Sequence, residues 1–368
     1  MGTFGFVIHP LGLEDVYRKF KFAEYLPSGL VEAAMRYLPA QYISHITGIR
    51  SDYSEAEGWF VSCPLTSRQM MTLPEPLVTK KIIEACKMAE RLGAGIVGLG
   101  AFTSVVGDAG ITISKHLNCA VTTGNSYTIA TALEGTRYAA TLMGIDMREA
   151  TAAVVGATGS IGAVCAEILA REVKKLNLVG RNKVKLEALA ERLVKHSGLA
   201  PVITSDVAAG LKDAQVVITV TSAVDAVIRP EHLVPGAVVC DVARPRDVAK
   251  EVAKTRDDVL VIEGGVVEPP GNVNFNFDFG FPPGTSYACM AETMILALEN
   301  RYENFTLGRE ITLQQVEEIS RLAKKHGFKL AGLRSFDRPL SLDRIAEVRK
   351  KAASLTVRMR CPARLEFS

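Results

Sequence analysis

A chain of 368 residues is too long for one ordinary domain and suits two or three. Its residues are 48% hydrophobic and 23% charged, which is the composition of a globular protein with enough apolar side chains for its cores. The formal net charge of +3 gives no general polyanion-binding signature, so no nucleic-acid partner is expected.

The start of the chain and its cysteines predict a cytoplasmic protein. The apolar residues 1–9 follow no basic segment and contain no small-residue cleavage site, unlike a signal peptide. No apolar stretch approaches the roughly 18 residues of a transmembrane span. The seven cysteines are widely spaced, with no C-x-x-C pair and no Cys/His cluster. This pattern is typical of a reducing compartment, and it predicts neither a disulfide framework nor a metal site.

Residues 1–145 are predicted to form an N-terminal α/β domain that binds the substrate. Thr79 is the expected N-cap of a helix that ends at Gly93, and the buried strand after it opens into a small polar loop that ends at Ser104. Loops of this kind line sites at the carboxyl ends of strands. The turn 120–126 then leads into a helix that ends near Met143. The predicted strands are 5–9, 42–49, 58–62 and 95–99, and the first helix is 80–92.

Residues 146–268 alternate short apolar strands with helices, which indicates a parallel sheet covered on both faces. Strands are predicted over 152–155, 176–179, 201–204, 215–220, 238–241 and 259–262, and helices over 161–172 and 183–195. The predicted fold class is therefore α/β. It comprises a Rossmann-type doubly wound parallel sheet domain, the N-terminal α/β substrate domain and C-terminal helices over 269–368.

A glycine-rich turn between the first strand and helix of this domain predicts a dinucleotide site. The spacing G-x-x-G-x-x-G lets the backbone turn tightly and lets a pyrophosphate approach the amides at the start of the helix. The strand before it and the helix after it make the motif more specific than glycine spacing alone. The candidate cofactor-binding residues of this turn are Gly156, Thr158, Gly159, Ser160, Ile161 and Gly162.

The end of the second strand favours NADP(H) over NAD(H). An NAD site usually places a carboxylate there for the ribose hydroxyls, whereas this chain has Arg181, Asn182 and Lys183 and no carboxylate before Glu187. Basic side chains attract a 2′-phosphate, although a solvated basic turn is the alternative. Further contacts, with the nicotinamide half, are expected from residues that follow later strands, namely Thr221, Ser222 and Gly264.

A cysteine near the start of a C-terminal helix is the candidate nucleophile. After the connection 269–283, which is rich in proline, glycine and phenylalanine, Ser286 is the expected N-cap and Cys289 falls at N3. Amides and the helix dipole lower a thiol's pKa there. On the residues alone, a buried filling role is the commoner use of such a cysteine. Cys63 and Cys119 adjoin loops and are weaker rivals.

The rest of the C-terminal segment is a capped helix and a basic tail. The helix begins at Thr312, which forms a T-x-x-Q capping box with Gln315, and ends at Gly327. The tail 341–368 carries more lysine and arginine than acidic residues. It would suit an acidic partner, although a solvated helix end is the simpler interpretation.

Several of these segments together resemble one family. The chain is similar to the long-chain fatty acyl-[acyl-carrier-protein] reductases of cyanobacteria, which form fatty aldehydes, through about residue 330. The resembling segments are 5–9, 100–104, 122–125, 154–162, 263–268, 287–292, 304–309 and 326–328.

The resemblance implies a two-step reduction of an acyl thioester. The family's cysteine maps onto Cys289, which would take the acyl group from acyl-carrier protein or coenzyme A. NADPH would then reduce that acyl group to an aldehyde. An oxyanion needs hydrogen-bond donors, and Thr123, Asn125 and Ser104 are the candidates, although ordinary turn chemistry also explains them. Glu292 could orient a proton donor or cap the helix. His9 and His116 are possible proton donors, but structural roles are more common for lone histidines.

Two stretches depart from the family. The segment 272–283 holds four phenylalanines, which could line a lipid channel or fill a core, and the tail past Arg334 extends beyond the family's usual end. The Gly180–Lys183 segment is also similar to shikimate dehydrogenase and glutamyl-tRNA reductase. An NADP oxidoreductase with another substrate, and a non-enzymatic NADPH-binding protein, are therefore the alternatives.

Overall fold

The computed structural model describes residues 1–223, 225–243, 246–280, 282–336 and 338–360. The chain divides into two compact units. Unit 1 contains residues 1–128 and 267–329, and unit 2 contains residues 129–266 together with the chain from Leu330 onward. This division differs from the predicted segments 1–145, 146–268 and 269–368. Residues 267–329 form no unit of their own, because their main helix is buried against the first sheet.

Unit 1 is built on a five-stranded sheet. Four strands are parallel, and the edge strand Gln41–Arg50 runs antiparallel to its neighbour. Its apolar side chains lie beneath a long helix, Glu75–Arg91, which begins before the predicted start. Pro74 is the N-cap of that helix instead of Thr79. The second proline, Pro76, lies in the first turn, where the backbone amide that proline lacks would have had no acceptor within the helix. The strand order is Gln41–Arg50, Glu55–Ser62, Gly2–Ile8, Ile96–Leu99 and Ala120–Thr122.

The remaining helices of unit 1 are short or belong to its C-terminal part. The capping box of Thr312 and Gln315 is present, and Gly327 ends that helix in the left-handed conformation, both as predicted. The α-helices are Leu13–Lys19, Ser28–Met35, Ser67–Thr72, Ile111–Ser114, Ala288–Leu298 and Leu313–His326, and the 3-10 helices are Lys21–Tyr25 and Ala101–Ser104. The chain leaves this unit within helix Asn125–Met143.

Helix Ala288–Leu298 lies close against the unit 1 sheet. Two glycines on the strands make this approach possible. A Cβ at Gly98 would overlap Thr293 Oγ1, and a Cβ at Gly2 would overlap the carbonyl oxygen of Ala297. Every residue of the helix is buried except Cys289, which is half-buried. The helix is therefore a core element whose one accessible position is its cysteine.

The connection before this helix packs its phenylalanines on the sheet. Phe275, Phe277 and Phe279 surround the ring of Phe60, with ring centroids 5.6–6.1 Å away. Phe60 and Phe275 are buried, whereas Phe277 is exposed. Core filling therefore accounts for Phe275 and not for the exposed Phe277, and Phe281 lies outside the described residues.

Unit 2 has a six-stranded, entirely parallel sheet, which confirms the predicted Rossmann-type α/β fold. Numbered along the chain within this unit, its strands run 6-5-4-1-2-3, so the order reverses between the first and fourth strands, where such sheets bind ligands. The strands in spatial order are Leu260–Glu263, Val238–Asp241, Val216–Thr219, Thr151–Val155, Lys175–Val179 and Val202–Thr204.

Helices cover the sheet of unit 2, and several are too short to show an apolar period in the sequence. They are the remainder of Asn125–Met143, then Ser160–Leu169, Lys183–Ser197, Val207–Leu211, Lys250–Thr255 and Leu342–Arg360, with 3-10 helices Met147–Glu149 and Pro230–His232. Three short strands, Val266–Glu268, Ser286–Tyr287 and Lys329–Leu330, form a further small sheet, and Arg334–Ser335 pairs with Arg338–Pro339. Within the described residues, no helix is both long and apolar enough to cross a membrane.

Candidate functional site

The glycine turn of unit 2 has the geometry of a pyrophosphate cradle. Gly156 has φ +83°, and a Cβ there would lie 2.5 Å from the carbonyl oxygen of Val220. A Cβ at Gly162 would overlap the carbonyl oxygen of Gly156. Gly159 is the N-cap of helix Ser160–Leu169, whose first amides have no intrahelical acceptor. Glycine therefore lets the backbone pack tightly at positions 156 and 162, where a side chain would collide, and the residues present fit a dinucleotide phosphate.

The basic segment after the second strand lies beside this turn. A Cβ at Gly180 would be 3.3 Å from the methyl group of Thr158, so the two loops are in contact. Arg181 is exposed and forms no hydrogen bond or ion pair with another described residue. Lys183, also exposed, lies 3.8 Å from Glu187. The Asn182 side chain instead caps helix Lys183–Ser197 by accepting from the Lys185 amide at 3.0 Å.

A buried aspartate that the sequence analysis missed organises the loops after the later strands. Asp247 is fully buried and accepts from Thr219 Oγ1 at 2.6 Å and from the Thr221 amide at 2.7 Å. It also accepts from the Thr221 hydroxyl. The predicted ligand Thr221 therefore uses its side chain to brace its own loop, while Ser222 is exposed. Gly264 lies close to Val242, because a Cβ added at Gly264 would be 2.9 Å from the Cγ2 atom of Val242.

Cys289 lies in the first turn of its helix, at position N2 instead of the predicted N3. The N-cap is Tyr287, so Cys289 is at N2. Ser286 was predicted wrongly as the cap: it belongs to strand Ser286–Tyr287. Its buried hydroxyl has no hydrogen-bond partner among the described residues. The extended backbone continues through Tyr287, with ψ 147°, which delays the helix start.

The turn after strand Ala120–Thr122 touches Cys289 directly. Gly124 has φ +75°, and a Cβ there would lie 2.5 Å from the carbonyl oxygen of Cys289 and closer still to its Cα and Cβ. Only glycine avoids both the backbone strain and the collision. The resembling segments 122–125 and 287–292 are thus brought together within unit 1.

Behind this contact lies a buried polar cluster centred on Glu292. Its Oε1 accepts from Thr122 Oγ1 at 2.5 Å and from Thr306 Oγ1 at 2.8 Å, and its Oε2 accepts from the Tyr127 amide at 2.8 Å. Burial raises the pKa of Glu292, while these hydrogen bonds and one from Gly124 act against that rise. From the sequence alone the role of Glu292 stayed open, and Thr306 had no predicted role.

The three candidate oxyanion donors differ in how their side chains are used. Thr123 is buried and donates its hydroxyl to the carbonyl oxygen of Thr306 at 2.8 Å. Ser104 donates to the carbonyl oxygen of Ala101 at 2.7 Å within a 3-10 turn. Asn125, at the start of helix Asn125–Met143, makes no side-chain hydrogen bond with a described residue and is half-buried. Of the three, Asn125 has the side chain most available to a ligand.

The histidines have structural partners. His9 is buried, accepts from the Phe102 amide at Nε2 and contacts the carbonyl oxygen of Pro10 through Nδ1. Burial lowers the pKa of His9 to about 4, which keeps it neutral. His116 is exposed and lies 2.8 Å from the carbonyl oxygen of Thr112, one helical turn back.

The rival cysteines are poor nucleophiles. Burial raises the pKa of both Cys63 and Cys119 to about 12, with Glu90 adding to the effect at Cys119. Burial also raises the pKa of Cys86 and of Cys165. Since the thiolate is the reactive form, these four thiols are unsuited to attack a thioester. The seventh cysteine, Cys361, lies outside the described residues.

Comparison with known proteins points to the cofactor domain first. The family model described as shikimate / quinate 5-dehydrogenase matches residues 137–263, which covers the glycine turn and the basic segment. Together with the cradle geometry, this match supports a nicotinamide dinucleotide as the cofactor, as predicted. It does not reach Cys289.

Three curated relatives extend the similarity beyond this domain. The chain is 30% identical to the aminotransferase PigE of Serratia sp. strain ATCC 39006 over 367 residues, covering 94% of this chain and 42% of PigE. It is 29% identical to the long-chain acyl-[acyl-carrier-protein] reductase of Synechococcus elongatus over 349 residues, covering 89% of this chain and 98% of that protein. It is 26% identical to glutamyl-tRNA reductase of Actinobacillus succinogenes over 207 residues, 53% of this chain and 46% of that protein.

These similarities define a distant relationship. The chain spans about two fifths of the length of PigE but nearly the whole acyl-[acyl-carrier-protein] reductase. Together with the dinucleotide fold, the two reductases and the dehydrogenase family model support a nicotinamide dinucleotide-dependent oxidoreductase.

Proposed function

We propose that this distant relative of the long-chain acyl-[acyl-carrier-protein] reductases uses NADPH to reduce a long-chain fatty acyl thioester to a fatty aldehyde. The observation that carries the proposal is the position of Cys289. It is the one accessible residue of an otherwise buried helix, it lies in the first turn, and it touches the Gly124 turn. A core-filling cysteine would be buried with its neighbours.

In the proposed reaction Cys289 is the nucleophile. Its thiolate attacks the carbonyl carbon of the acyl thioester, and the carrier thiol leaves with a proton, so that the acyl group is bonded to Sγ. NADPH, when bound, supplies the hydride that reduces this acyl group. The Cys289 thiolate then departs as the leaving group, and the aldehyde is released. Overall, one acyl thioester, one NADPH and one proton give one aldehyde, one carrier thiol and one NADP⁺.

The proposed oxyanion donors are Asn125 first, then Thr123 and Ser104. Asn125 is favoured because its side chain has no partner among the described residues, whereas the other two hydroxyls already donate elsewhere. We propose no metal ligand. Among the described residues, no three His, Cys, Asp or Glu side chains cluster as a metal site.

We propose that the cofactor site selects NADPH through Arg181 and Lys183, which are exposed beside the glycine turn. The amides of Ser160, Ile161 and Gly162, with Gly156, Thr158 and Gly159, would hold the pyrophosphate. Asn182 would contribute by fixing the start of its helix. Ser222 and Gly264 would face the nicotinamide half, with Thr221 bracing that loop through Asp247.

The carrier in this proposal is acyl-carrier protein, with coenzyme A as the alternative, and the setting is the cytoplasm. The name of the Synechococcus relative supports the first carrier. Some basic side chains of the tail form ion pairs with acidic residues of this chain. Arg344 lies 3.0 Å from Glu347, and Lys351 is paired with Asp257. Part of the tail's positive charge is thus neutralised within unit 2.

An intact-mass experiment tests the proposal. The protein is incubated without NADPH with palmitoyl-coenzyme A, and the mass of one palmitoyl group is expected to appear on the wild type. Cys289→Ala should abolish the adduct, whereas Cys119→Ala, which removes a half-buried thiol of raised pKa, should retain it. Addition of NADPH should then discharge the adduct as hexadecanal. An adduct that survives Cys289→Ala, or no adduct on any variant, would contradict the mechanism.

A further inference from the structure

We propose that Glu292 is a positioning residue for acyl transfer, which holds the 122–127 turn against Cys289. The inference rests on the proposed function and concerns how the nucleophile and the turn that faces it are kept in register. Glu292 is fully buried, so it cannot touch a substrate, and a direct catalytic role is not part of the proposal.

The carboxylate of Glu292 joins three separate chain segments, its own helix among them. It lies on helix Ala288–Leu298, one turn after Cys289, and it accepts from Thr122, Tyr127 and Thr306 at 2.5–2.8 Å. All its partners belong to unit 1. Glu292 is thus a polar anchor on a helix that packs on its sheet mainly through small and apolar residues.

Thr122, Tyr127 and Thr306 each donate a hydrogen bond to the Glu292 carboxylate. The Thr122 hydroxyl accepts from the amides of Thr306 and Gly124, at 3.3 and 3.4 Å, which directs its own proton to Glu292. The Tyr127 amide can only donate. A carboxylate has acceptor sites for all of them, whereas a neutral amide of the same shape would turn an NH₂ group toward a donor.

The hydrogen bonds of Glu292 also bear on the position of the cysteine. Thr122 and Tyr127 flank Gly124, and Gly124 is in contact with the backbone and Cβ of Cys289. Fixing residues 122 and 127 to the cysteine's own helix fixes the distance between the turn and the thiol. Misplacement of about 1 Å between reacting groups can cost about 100-fold in rate.

The test compares acylation with a reaction that needs no positioning. Wild type and Glu292→Gln are each treated with palmitoyl-coenzyme A without NADPH, and the rate of palmitoyl addition is followed by mass. Parallel samples receive iodoacetamide, a small electrophile that needs only an accessible thiol. Glu292→Gln is expected to be acylated about 100-fold more slowly and to be alkylated within about threefold of the wild-type rate. NADPH affinity should stay unchanged.

Two further variants keep the result interpretable. Glu299→Gln removes a glutamate from the far end of the same helix, where it pairs with Lys325 at 2.6 Å, and should be acylated at the wild-type rate. Thr306→Val removes a single donor and keeps the carboxylate. It should slow acylation about tenfold, and it replaces Glu292→Gln if that variant does not fold.

The outcomes separate the two proposals. If the wild type itself is not acylated, the proposed function fails. If the wild type is acylated and Glu292→Gln or Thr306→Val reacts equally fast, the positioning role is overturned. Equal loss of acylation and alkylation would also overturn it, since the residue would then only support the fold.

Discussion

A single methyl group at Gly124 is the most direct probe of the contact on which the site depends. Gly124 has φ +75°, and a Cβ there would lie 2.5 Å from the carbonyl oxygen of Cys289. Alanine must adopt a left-handed backbone, which costs about 1–2 kcal/mol, and must push away the turn that carries the cysteine, at about 1–3 kcal/mol. We therefore expect Gly124→Ala to lower the free energy of unfolding by about 2–5 kcal/mol.

Gly198→Ala is the matched control. Gly198 ends helix Lys183–Ser197 with φ +76° and has no atom within 4 Å of an added Cβ, so alanine there carries only the backbone cost of about 1–2 kcal/mol. Urea unfolding of both variants separates the collision from the strain. The iodoacetamide rate at Cys289 should change in Gly124→Ala and not in Gly198→Ala. Equal losses of stability, with unchanged alkylation in both, would refute the contact.

Two other predictions concern the cofactor and pH. Arg181→Asp should weaken NADPH binding about 10–100-fold, the range of a charge-assisted hydrogen bond, and change NADH binding little; equal losses by titration would show that Arg181 does not bind the 2′-phosphate. Burial lowers the pKa of His9 from 6.5 to about 4, so only the unfolded chain gains this proton as the pH falls from about 6.5 to 4. The contribution of His9 to stability is complete above pH 6.5 and is lost across that window, by about 3 kcal/mol. The variant His9→Gln should lack this part of the pH dependence in urea titrations, and an identical slope in wild type and variant would count against it.

The regular half of the fold was predictable because its signals are local. The apolar runs that form strands Thr151–Val155 and Lys175–Val179 lie between turn residues. The glycine turn was predicted from the spacing of its glycines. The capping box at Thr312 and the glycine stop at Gly327 were also readable from neighbouring residues. In each case the interaction joins residues only a few positions apart.

The sequence suggested a candidate nucleophile, Cys289, and gave no signal for the contacts that support its turn. Family resemblance pointed to Cys289, but the N-cap of its helix is Tyr287 instead of the predicted Ser286, because the short strand before the helix continues the extended backbone. Glu292, Thr306 and Asp247 act through partners 14–184 positions away. The spacing of such residues does not indicate which of them pair. The sequence also does not show whether an acidic side chain is buried or exposed.

The Glu292 cluster also bears on how this protein can vary among its relatives. One carboxylate accepts hydroxyl and amide donors from the 122–127 turn and from Thr306, so losing the carboxylate removes the acceptor that these buried donors share. Natural variants at positions 122, 292 and 306 should therefore change as a set: a hydrophobic residue at 292 would be accompanied by loss of the threonine hydroxyls. Positions 122, 292 and 306 should therefore covary in an alignment, although two of them lie 170 residues apart in the sequence.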